Sequence, residues 1–106
     1  MLSLPQKPTI GDFQTYISEL ELERGFSEQT AIQKCLLLGE EIGELFKAVR
    51  KHDSTLKTDS NSKVGTIEEE LADILIYTSA IANKYKIDLE EAFRKKEEQN
   101  KTRVWK

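Results

Sequence analysis

Five acidic side chains hold what chemistry this sequence could do. Glu40, Glu41 and Glu44 follow Leu36, Leu37 and Leu38 across a single glycine, Gly39, and Glu70 and Asp73 sit in a second run among apolar neighbours. Acids three residues apart project from one side of a helix. Glu41 with Glu44, and Glu70 with Asp73, therefore form two such pairs. Two carboxylates ~5 Å apart repel by roughly 3 kcal/mol at an effective dielectric of ~20. If the two pairs converged, the repulsion could rival a domain's stability of ~5–15 kcal/mol. Such a cluster needs protons, basic partners or a cation. Oxygen-only ligands suit hard ions such as Mg²⁺ or Mn²⁺, and no Cys/His set for zinc is present. The plain alternative is that these acids are surface charges, with Glu40 and Glu44 facing Lys47 and Lys51 for a few tenths of a kcal/mol per contact.

The elements that must position these acids read as helices. After Pro8 no proline interrupts the chain, and no strand-like alternation bounded by turn residues occurs. Ile10, Phe13, Ile17 and Leu20 recur at steps of three and four, with Thr9 as a cap and Gly25 as the stop. A second helix follows with Ser27 as its cap and runs to about Lys51. A third starts at Thr66, with Glu69 as capping-box partner, and continues to about Lys86. The last starts at Asp88 and runs to the C-terminal end. Residues 1–8 read as flexible, and residues 52–65 as a long polar loop, with His52 as a cap or loop residue. The expectation is one all-α domain over residues 1–106.

On a helical wheel with Ile42 at zero and about 100° per residue, Cys35, Leu38, Leu45, Phe46 and Val49 fall within ~60°. That arc reads as the main core face, with Cys35 inside it. Glu41, near −100°, and Glu44, near −160°, share a second face with Leu37 and Ala48. With Leu36 on the other side, the helix has apolar surface on more faces than a four-helix monomer of this size can cover. This points to an oligomer. In the third helix, Ile74, Tyr77 and Ile81 lie within about 40° of Glu70, and Asp73 about 60° away. Glu68 and Glu69 fall outside that stripe, as solvated acids favourable to the helix N-terminus.

Composition narrows the class. The 106 residues are 38% hydrophobic and 33% charged, which is the balance of a soluble globular protein. A net charge of −3, from 19 acids against 16 bases, argues against binding a nucleic acid polymer. A lone cysteine excludes an internal disulfide and fits a reducing cytoplasm. No stretch has the length of a membrane span, and the N-terminus does not read as a signal peptide.

Taken together, "EEIGE" at Glu40–Glu44 and "ELAD" at Glu70–Asp73, separated by residues 45–69, resemble the paired motif of the MazG-like all-α nucleoside triphosphate pyrophosphohydrolases. The flanking "GELFKAVRK", "ADILIY", "IDLEEAF" and "NKTRVW" agree, so the likeness extends from about Phe13 to Trp105. The resemblance implies a four-helix MazG-like module whose active site is completed by oligomerisation, as a homodimer or homotetramer. It implies Mg²⁺-dependent cleavage of a (d)NTP between the α and β phosphorus atoms, giving (d)NMP and pyrophosphate, as house-cleaning of nucleotide pools. Glu41, Glu44, Glu70 and Asp73 match the metal ligands, Glu40 an accessory position, and Glu41 or Glu44 the catalytic base. Lys51, Asn100, Lys101 and Arg103 are candidates for the phosphates, and Trp105 for stacking on a base or packing at an interface. A related phosphoribosyl-ATP pyrophosphohydrolase, a dUTPase-like enzyme and a non-catalytic oligomerisation or regulatory module remain as alternatives.

Overall fold

The structure is a computed structural model and describes residues 2–106. Its four helices are α1 (Ile10–Arg24), α2 (Ala31–Asp53), α3 (Ile67–Lys84) and α4 (Leu89–Asn100), with no strand among the described residues. The chain divides into two compact units. One comprises the segment ending at Glu28 together with Ser79–Lys106; the other is Gln29–Thr78.

In the first unit, α1 forms where its apolar spacing requires. Thr9 accepts a hydrogen bond from the Asp12 N–H, and the Asp12 carboxylate accepts one from the Thr9 N–H, so both orphan donors are satisfied. Gly25 ends the helix at φ 79°, a left-handed conformation that glycine adopts without a Cβ penalty. Ile17, Leu20, Ala80 and Ala82 are buried. Gln14 ties this unit together. Its Nε2 donates to Asn83 Oδ1 at 3.0 Å and to the Ile87 carbonyl at 2.8 Å, while its Oε1 accepts from the Leu89 N–H at 3.0 Å. Asn83 Nδ2 returns a bond to the Gln14 carbonyl at 2.8 Å. One buried amide thus fixes the turn through which α3 hands over to α4. Asp88 caps α4 through the Glu91 N–H, as expected.

Several boundaries differ from the sequence reading. Thr30, not Ser27, caps α2, because Thr30 and Gln33 form a reciprocal box. The Ser27 carbonyl instead accepts from Lys84 Nζ at 2.9 Å. The helix runs on to Asp53, which places His52 in its last turn rather than in a loop. Helix α3 stops at Lys84, since Lys86 takes φ 55° and the Ile87 N–H bonds back to the Ala82 carbonyl. Helix α4 ends at Asn100 rather than running to the end of the chain, where the Thr102 hydroxyl donates to the Gln99 carbonyl. No residue of α4 is buried, and its exposed pairs Arg94–Glu90 and Lys95–Glu91 lie a helical turn apart.

The second unit carries the largest correction. Lys34 and Ala48 are buried, while Leu37, Leu38, Glu41, Glu44 and Leu45 are half-buried. On the wheel these residues centre on Glu41. The arc expected to be the main core face is open instead: Cys35 is exposed, as are Ile42, Phe46 and Val49, with Ile32 and Leu36 beside them. Periodicity locates an apolar face but not what covers it. Here the chain turns the acid-bearing side inward and leaves the greasier side without cover of its own.

Candidate metal centre

Thr66 starts α3 as the sequence indicates, its hydroxyl accepting from the Glu69 N–H at 3.1 Å and its carbonyl from the Glu70 N–H at 3.1 Å. With the first turn fixed, Glu70 and Asp73 stand three residues apart on one side of the helix. From α2, Glu41 reaches the same place. Glu41, Glu70 and Asp73 each supply a carboxylate oxygen, and these atoms lie within 4.8 Å of one another. Glu70 is only 7% exposed, and its Oε2 is buried without a hydrogen-bond partner. A buried anionic oxygen left unpaired costs several kcal/mol unless something neutralises it.

The electrostatics report the same crowding. The Glu41 carboxyl is pushed up from 4.5 to about 7. Hydrogen bonding to Glu70 is the leading cause, followed by burial and then by the negative charges of Asp73 and Glu70. Tyr77, one turn on from Asp73, has its phenol raised by burial and then by the charges of Glu41, Asp73 and Glu40. Without a cation, this crowding favours the protonated form of Glu41. The all-oxygen donor set, the short separations and the orphaned Glu70 Oε2 fit a hard divalent ion.

The other expected site residues are not drawn into this trio. Glu44 is half-buried and pairs with Lys47 at 3.4 Å, the surface-charge arrangement. Glu40 is exposed on the same helix, near enough in charge to act on Tyr77. Lys51 is exposed and lines a groove with Ala48, His52 and residues 64–68. Asn100, Lys101 and Arg103 belong to the other unit. There Asn100 Oδ1 is buried without a partner, Lys101 pairs with Glu98 at 3.0 Å, and Arg103 lies 5.8 Å from the exposed Trp105 ring centroid. Two neighbours of the trio escaped the sequence reading as site residues. Tyr77 was visible as a polar-tipped member of the Glu70 stripe. Gly65 was visible merely as an isolated glycine ahead of a helix cap.

Comparison with known proteins gives the family and the fold. Residues 23–104 match the family model of the MazG nucleotide pyrophosphohydrolase domain. Two crystal structures of iMazG from Vibrio DAT 722 are similar to this chain. The C-terminally tagged form is 32% identical with a TM-score of 0.63, over 89% of this chain and 99% of that one. The N-terminally tagged form is 31% identical with a TM-score of 0.63, over 92% and 99% respectively. No curated protein matches the chain significantly.

Proposed function

The chain belongs to the MazG nucleotide pyrophosphohydrolase family, and from that premise we propose that it hydrolyses nucleoside triphosphates to monophosphate and pyrophosphate with Mg²⁺ as its metal. The observation that carries this reading is the buried, unpaired Glu70 Oε2 within reach of Glu41 and Asp73. A divalent ion, when bound there, would supply charge neutralisation for the phosphate oxygens and lower the pKa of water. The protein's own groups do the rest. Glu70, fixed by the first turn of α3, would hold the ion together with Asp73 and Glu41. Glu41, which reaches the trio from α2, is the candidate to take a proton from the attacking water. Glu44 is one turn from Glu41 on α2. Its exposed pair with Lys47 is worth at most about 1 kcal/mol, so it is free to turn in as a fourth ligand or as the base. Glu40 tunes the site through its charge.

A triphosphate also needs cations. Lys51, in the same compact unit as the trio, serves that role, and Asn100, Lys101 and Arg103 are further phosphate-binding candidates. The family match spans residues 23–104 and so includes all of these candidates. The uncovered apolar side of α2 supports a homo-oligomer, since a patch of this kind on a monomer invites association. No helix among the described residues is long and apolar enough to cross a membrane. We place the activity in the cytoplasm, where it clears unwanted nucleotides.

The test is a panel of canonical and modified (d)NTPs with Mg²⁺, with products separated. Pyrophosphate release is expected, and it is lost at least a hundredfold in Asp73→Asn while the helical circular dichroism persists. Release of single phosphates, or full turnover in Asp73→Asn, overturns the reading.

A further inference from the structure

Gly65 lies in the polar segment between α2 and α3, one residue before the Thr66 cap. Its backbone is not in the left-handed region, where Gly25 is found, so its conformation does not call for glycine. What calls for glycine is space. A Cβ built on Gly65 collides with Glu70 Oε1 and comes within 3.4 Å of Glu69 Oε2. Side chains in a helix lean back toward the N-terminus, and Glu70 follows this by folding over the preceding loop. Its carboxylate lies on the bare α-carbon of Gly65.

We propose that Gly65 is a positioning residue for the metal centre: its missing side chain is the seat that holds the Glu70 carboxylate in register with Glu41 and Asp73. The inference rests on the metal-centre reading above and adds to it a residue that contributes no ligand atom. The atom a new Cβ would meet is the far end of a flexible side chain. The substitution therefore moves the carboxylate and leaves the backbone alone. Glu69 closes one side of the seat, so the displaced carboxylate swings out of the trio and takes its buried Oε2 with it. Loss of an outer support of this kind weakens metal binding by about 10–100-fold.

The experiment measures Mn²⁺ binding without substrate, from the electron paramagnetic resonance signal of the free ion, in the full chain. Wild type, Gly65→Ala and Glu70→Gln are compared, alongside metal-free thermal melts. Expected are Mn²⁺ binding by the wild type with competition from Mg²⁺, loss of binding in Glu70→Gln, and at least tenfold weaker binding in Gly65→Ala. The metal-free melting temperature of Gly65→Ala is expected to be unchanged or raised, since alanine restricts the unfolded chain. Wild-type affinity in Gly65→Ala overturns the positioning role while leaving the metal centre standing. Loss of folded structure in metal-free Gly65→Ala also overturns it, because the cost would then fall on the backbone. No binding by the wild type, or undiminished binding by Glu70→Gln, removes the metal centre and the positioning role with it.

Discussion

Replacing Glu41 with Gln in metal-free protein should remove the loss of stability that wild type suffers as pH rises, and the size of the effect follows from the crowding at the trio. The folded-state value of about 7 against 4.5 is a difference of about 2.5 units, or at most ~3.4 kcal/mol at 1.36 kcal/mol per unit. Glu41 is half-buried and partly screened by water, which reduces this to about 2 kcal/mol. Because the folded value is raised, the folded protein holds more protons than the unfolded chain between about pH 4.5 and 7. The stabilisation is complete below about 4.5 and is lost as pH rises through about 7. Glutamine carries no such proton. Thermal melts in chelator from pH 5 to 8 should show wild type losing about 8 °C relative to Glu41→Gln, at roughly 4 °C per kcal/mol. Protein concentration is held fixed. Comparing the two proteins at each pH cancels the titration of exposed groups common to both. Excess Mn²⁺ at pH 8 should restore the wild type but not the variant. A wild-type–variant difference that stays constant from pH 5 to 8, or that favours wild type at pH 8, refutes the reasoning.

Two further outcomes separate the site from its surroundings. Glu44→Gln should weaken Mn²⁺ binding less than Glu41→Gln, because Glu44 stands paired with Lys47 outside the trio; titration of both variants ranks them. Gln14→Ala should cost about 2–4 kcal/mol in urea denaturation, since it strands Asn83 Oδ1, the Ile87 carbonyl and the Leu89 N–H at once.

Much of this was legible in the chain because helix signals are local. Thr9, Gly25, Thr66 and Asp88 mark helix ends through bonds to residues three or four positions away, and all four do so in the structure. The pairing of Glu70 with Asp73 follows from helical geometry alone. What was hidden depended on partners distant in sequence. The apolar arc of α2 containing Ile42 and Phe46 looks like a core face on any wheel, yet burial follows the Glu41 side. Glu44 is indistinguishable from Glu41 by spacing, and only the approach of α3 separates them. Gly65 lies in a segment without periodicity, so its steric relation to Glu70 could not be read until the loop had a path.

Helix α2 is a single 23-residue rod with opposite duties on its two sides. One side aims an acid at the trio, and the other offers grease to a neighbour. The two sides are mechanically joined. A partner that gripped the outer side one position out of step would turn the rod by about 100° and carry Glu41 away from Glu70 and Asp73. Were a second subunit to seat there, its register would be an alignment condition for the acids on the far side of the same rod.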